Sequence, residues 1–294
     1  MKSSIKYAIL LCGLALLSIS LIRCSSGGDP VAGGTGTGNP GGSVVVSMRA
    51  DTGNAATSLA KSLLGPNPGS DKAPSPPVFA GQGYQIQDSG DMLMMIDTAY
   101  VNVQRIHFML DSSGDPSLLL KNFADNLSQD SVSIVLDKPF VFELVTGASF
   151  PSICSLSIPE AKYSGIKFDP YAGDRTSVGP FSDSFSVTLV GEYIYQDTLH
   201  SFRMSYRMNS PLLFHSDSGN VNVSKDSTIH FQIALDVRTW FVGIDLKSCL
   251  DNNALPRQPN GDLTLMPPLA AGPCMGVLDI IKENMMSHAI LKVY

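Results

Sequence analysis

Little in this 294-residue chain offers a ready-made reaction centre. Its five histidines, His107, His200, His215, His230 and His288, are scattered. No His-Glu-x-x-His occurs and no two lie four residues apart, the spacing that puts two imidazoles on one helix face for zinc. No Cys-x-x-Cys pair exists, which argues against a tetrahedral zinc site. The Gly-x-Ser-x-Gly elbow of a serine nucleophile is absent. Positive charge is scarce as well: 20 Lys and Arg face 26 Asp and Glu, a net charge of −6. Nucleic acid needs basic patches to neutralise phosphate, so it is excluded as a partner, and the same sign opposes docking on anionic lipid head groups. The one tryptophan, Trp240, sits between Val237 and Phe241 and reads as core, not as an exposed platform for sugars. No metal, cofactor or catalytic residue is expected from these patterns.

What is present starts with an export address. Lys2 and Lys6 precede sixteen uncharged residues, Tyr7 to Ile22, most of them Leu, Ile or Ala. The run is shorter than the ~20 apolar residues of a spanning helix. It is closed by Arg23, Cys24 and the small polar tract Ser25-Ser26-Gly27-Gly28. A cysteine in that place resembles the lipobox of bacterial lipoproteins, with Leu21 three positions before Cys24 and Arg23 where that family usually has Gly, Ala or Ser. The resemblance implies cleavage before Cys24, a diacylglycerol on its sulfur and an acylated amine. Ser25 is not the Asp that retains such proteins at the inner membrane, so the outer membrane is the implied address. Two alternatives stay open: ordinary secretion with cleavage after Ser20, following Ser18-x-Ser20, and an uncleaved anchor. Cleavage before Cys24 removes Lys2, Lys6 and Arg23, leaving 17 basic against 26 acidic residues, a net charge of −9.

Of the five cysteines, Cys12 lies in the signal and Cys24 is the lipidation candidate. Cys154, Cys249 and Cys274 remain. In an oxidising compartment Cys249 and Cys274 can bridge across about 25 residues, a loop for which chain entropy alone gives about 3 kcal/mol. Three buried free thiols are the other possibility.

Residues 25–42 are nearly all Gly, Ser, Thr, Pro or Asn and form a tether over 24–42, since such a tract buries no apolar surface. Within it Gly36-Thr-Gly38-Asn-Pro-Gly41 has the letters of a dinucleotide fingerprint but lacks the strand before and helix after that the motif needs. A first strand is expected over Ser43–Ala50. Residues 51–83 turn small and Pro-rich, a flexible insertion with at most a short helix at Ala55–Leu64. From residue 92 the alternation is persistent: Thr98–Leu110, Val132–Leu136, Phe140–Leu144 and a hairpin of Phe185–Tyr195 with Ser201–Met208. In a further strand Ile229, Phe231, Ile233, Leu235 and Val237 oppose Thr228, His230, Gln232 and Asp236. Helices are expected at Pro116–Leu127 and over 275–294, where Val277, Leu278, Ile281, Met285 and His288 recur every three or four residues. Glu143, Glu192 and Asp236 alternate with core positions and most simply serve solubility. Asp251-Asn252-Asn253 and Asn260-Gly261-Asp262 lack the twelve-residue calcium-loop spacing and read as turns.

These elements imply a mainly β domain over 43–274, a two-sheet antiparallel Greek-key sandwich closed by a C-terminal helix. Three stretches, Thr37–Pro40, Ile158–Phe168, and the run from Phe231 through Trp240-Phe241 to Ile281–Asn284, resemble Gram-negative lipoproteins with a transthyretin-like or immunoglobulin-like sandwich of no assigned activity. The expected function is a membrane-anchored, non-enzymatic module that binds an envelope protein or polymer. A hydrolase whose carboxylates meet only in space is the alternative.

Overall fold

The computed structural model describes residues 41–51, 83–111, 127–153, 155–171, 185–216, 219–225, 227–266 and 274–294. The signal, Cys24, most of the tether, the insertion over 52–82 with its expected helix, residues 116–126 of the expected crossover, and Cys154 lie outside these residues.

Among the described residues the chain forms sixteen strands. They are β1 (Gly41–Asp51), β2 (Tyr84–Gln87), β3 (Leu93–Leu110), β4 (Leu127–Gln129), β5 (Ser133–Leu136), β6 (Phe140–Glu143), β7 (Ala148–Phe150) and β8 (Leu156–Pro159). After these come β9 (Ala161–Pro170), β10 (Val187–Tyr195), β11 (Thr198–Tyr206), β12 (Leu212–His215), β13 (Val221–Val223), β14 (Thr228–Asp236), β15 (Leu263–Leu265) and β16 (Ala289–Val293). Two helices, α1 (Leu246–Asp251) and α2 (Val277–Ser287), complete the described fold.

The fold is mainly β with two sheets. The smaller has the order β16-β14-β1-β8; the larger, of twelve strands, runs β12-β9-β3-β10-β11-β15 with shorter strands alongside. The 18-residue β3 is the spine of the larger sheet. One of its edges pairs with β2, β6 and β5 and the other with β10 and β9. The sheets meet through their apolar faces: the Phe108 ring of β3 lies 5.9 Å from that of Phe231 in β14, and both are fully buried.

Two pairings depart from the all-antiparallel expectation. β1 runs parallel to β14, from Ser43 opposite Thr228 to Asp51 opposite Asp236, and β11 runs parallel to β15. A parallel pair needs a long crossover, and the chain between β1 and β14 supplies one. Alternation cannot reveal direction, because a strand shows the same two faces either way.

The hairpin of β10 and β11 keeps its expected parity, with Val187, Leu189, Tyr193, Phe202, Met204 and Tyr206 buried. Its two turn residues, Gln196 and Asp197, both have positive φ, the mirror-image turn whose twist suits a two-residue hairpin. Where β10 meets β3 the register slips between Val190 and Gly191. A Cβ on Gly191 would lie 1.9 Å from the Met95 carbonyl oxygen, so the slip needs glycine there.

The chain end is a correction. The helix expected over 275–294 stops at Ser287; His288 is its exposed C-cap, and Ala289–Val293 is β16, antiparallel to β14. Ile290 to Val293 carry two β-branched residues, and β14 has open backbone groups on that side, so pairing outweighs the continued helical period. Two shorter elements, β2 and α1, fall where no regular structure was expected, and Leu127 opens β4 instead of ending a helix.

Buried Tyr163 donates its hydroxyl to the Pro159 carbonyl at 2.8 Å, tying β9 back to the end of β8. Tyr163→Phe strands that carbonyl, and about 1–2 kcal/mol of stability should be lost in urea melts, the usual cost of an unmade buried hydrogen bond.

Candidate functional site

The outer face of the smaller sheet carries a cleft of about 240 Å³. It is lined by Arg49, Ala50 and Asp51 of β1, Gln232 and Ala234 of β14, Lys292 of β16, and Tyr84 of β2. Register explains the grouping. Arg49 lies opposite Ala234, Asp51 opposite Asp236, and Gln232 opposite Lys292, so alternate residues of three strands project to one side. Ala234 keeps the floor low between longer neighbours. Tyr84 closes one end, its hydroxyl donating to the Ala50 carbonyl at 3.1 Å.

Charge is unevenly matched there. The Lys292 ammonium sits 2.9 Å from Asp51, which raises the lysine above its ordinary range. Asp236, the register neighbour of Asp51, is held by Arg238 at 2.5 Å, and that contact pulls its carboxyl below the usual range. Arg49 is exposed and, among the described residues, makes no ion pair or hydrogen bond. Its aliphatic stem runs past Gly147, whose positive φ turns the loop after β6; a Cβ there would stand 3.6 Å from Arg49 Cδ.

No family model, curated protein or solved structure matches this chain. The site is therefore read from its own geometry.

Ser133, His107 and Asp169 line up in the manner of nucleophile, base and orienting acid. His107 lies with Nδ1 3.3 Å from Ser133 Oγ and Nε2 2.8 Å from Asp169 Oδ2. Access and proton placement rule out that role. Ser133 is fully buried, and its hydroxyl donates to Asp130 Oδ2 at 2.9 Å instead of to the imidazole. The two imidazole nitrogens thus bridge the Ser133 hydroxyl and the Asp169 carboxylate. This is a clasp joining β3, β5 and β9 by side chains far apart in sequence.

The remaining candidates fall as follows. Glu143 is a correction: it is buried, accepts from the Val145 and Thr146 amides at 3.0 and 2.6 Å and from the Thr146 hydroxyl, and so stabilises the turn after β6. Glu192 is half-buried on β10, with one carboxylate oxygen buried and unpartnered, more enclosed than a solubilising residue. Cys249 of α1 and Cys274, three residues before α2, are bonded, with Cα atoms 5.9 Å apart. Trp240 is fully buried. Asp251 ends α1, and its carboxylate takes Lys247 Nζ and the Tyr195 hydroxyl at 2.8 and 2.7 Å, a structural use. Among the described residues no three His, Cys, Asp or Glu gather to hold a metal, and no helix is long and apolar enough to cross a membrane. Sequence reading missed Arg49, Lys292 and His107. Arg49 falls in the expected first strand and Lys292 in the expected C-terminal helix, and the partners of His107 are set by pairing.

Proposed function

We propose that this protein is an envelope lipoprotein, anchored through Cys24 and presenting a non-enzymatic β-sandwich to a polymer or protein partner. Its address rests on the Lys2–Lys6 charge, the apolar run and Cys24, together with their resemblance to a lipobox. What carries the non-enzymatic part is the state of the carboxylates at and beside the cleft. Asp51 is paired with Lys292 and Asp236 with Arg238, whereas hydrolysis by a carboxylate pair needs one member kept protonated as an acid.

Gly41 follows Cys24 by 17 residues, a chain that spans at most about 60 Å. Arg49 lies eight residues further along β1, roughly 26 Å at strand rise. The cleft thus lies at the end of β1 farther along the chain from Cys24.

Cys24→Ser is the decisive variant, because two or more acyl chains hold a protein at a bilayer through about 0.8 kcal/mol per buried CH₂. Wild type should partition into detergent and the variant into the aqueous phase. Both soluble would mean ordinary secretion; both bound would mean an uncleaved anchor. Either overturns lipidation.

A further inference from the structure

We infer that the cleft binds an oxyanion group carried on a unit about the size of one acidic sugar, with Arg49 as the principal contact. This deepens the binding role proposed above and names the chemistry of its ligand.

The donors decide the class. Arg49 brings a planar guanidinium with five N–H groups and, among the described residues, no acceptor to use them on. Lys292 spends one contact on Asp51 and keeps further N–H groups. Gln232 accepts from the Tyr294 hydroxyl at 3.2 Å through Oε1, and its amide N–H groups have no partner among the described residues. Opposing them is one lining carboxylate, Asp51, already paired. Among the described residues the lining charge is therefore +1, from Arg49 and Lys292 against Asp51, on a chain whose net charge is −6. A donor-rich, locally positive hollow on an acidic surface selects for an oxyanion, and a guanidinium fork matches a carboxylate or phosphate edge with two parallel hydrogen bonds.

Size and preorganisation narrow it further. About 240 Å³ is below the range of drug-sized pockets, so one sugar-sized unit fills it. Tyr84 at one end of the cleft is fixed by its bond to Ala50. Because Arg49 is exposed, a single unit should bind weakly, with Kd on the order of millimolar. A repeating acidic polymer would gain by occupying many anchored copies at once.

The test titrates the full chain with glucuronate, glucose and inorganic phosphate, following the Arg49 side-chain Nε resonance. Glucuronate should shift it saturably and glucose should not. Arg49→Met should weaken glucuronate binding at least tenfold, followed at the Gln232 amide; Arg49→Lys should fall between; Arg238→Met, outside the cleft, should change it less than twofold. Phosphate binding as tightly as glucuronate would identify the oxyanion alone as the recognised feature, and weaker phosphate binding would identify the carboxylate-bearing sugar. Equal shifts with glucose, no shift with either anion, or undiminished binding by a folded Arg49→Met overturns the inference. The titration is independent of where the protein resides, so its failure leaves the Cys24 result untouched.

Discussion

Phe231→Ala should lower unfolding stability by about 3–5 kcal/mol, the usual range for emptying a buried aromatic site. Phe231 is fully buried in the centre of β14 and meets Phe108 of the opposite sheet, so truncation leaves a cavity where the two layers join. Its neighbour Gln232 points to the opposite, half-exposed face and loses only the hydrogen bond from Tyr294. Gln232→Ala should therefore cost less than about 1 kcal/mol. Against a typical domain stability of 5–15 kcal/mol the contrast is large. Urea melts of the two variants measure it, and similar midpoint shifts would refute the assignment of one face to the core.

Asp88→Ala should cost a similar amount, about 3–4 kcal/mol, through hydrogen bonding instead of packing. Oδ1 of this buried carboxylate accepts from the Gly90 and Met92 amides at 2.9 and 2.7 Å. Oδ2 accepts from the Leu246 amide at 2.8 Å, clipping the β2–β3 turn to the start of α1. Alanine leaves three amide donors short of an acceptor, each at about 1–3 kcal/mol when buried, less where water reaches. Asparagine keeps one oxygen for the turn but sets an N–H₂ against Leu246, so about half the loss should remain. Burial raises the Asp88 carboxyl above its ordinary 3.8, the charge of Asp245 adding to the rise and the three amides opposing it. The folded state then holds this proton more tightly than the unfolded one. The contribution of Asp88 to stability falls as pH rises from about 3.8 to the raised value, and is recovered on acidification through that window. Equilibrium melts between pH 3 and 7 should therefore show the stability advantage of wild type over Asp88→Asn narrowing as pH rises through that window.

Much of the β content is written locally. Val187 to Tyr195, Phe202 to Tyr206 and Phe231 to Leu235 alternate because one face of each strand packs into the apolar core and the other carries mostly polar or less buried residues, and side chains change sides at every residue. Trp240 reads as core from its neighbours Val237 and Phe241, whereas a six-residue α1 carries too few turns for a clear period. Local pattern is silent on which strands meet and in which direction. The parallel pairing of β1 with β14 brings Arg49 and Asp51 beside Ala234 and Asp236, and β16 adds Lys292. The His107 clasp arises in the same way, from β3, β5, β9 and the turn before β5. Alternation and composition alone determined a mainly β domain, its core faces and the charged, apolar, cysteine-ended start. Tertiary structure decided the strand partners, the conversion of the chain end from helix to edge strand, and the cleft. The reason is that backbone hydrogen bonds between strands join residues far apart in sequence, so register is set by the whole fold and not by any single segment.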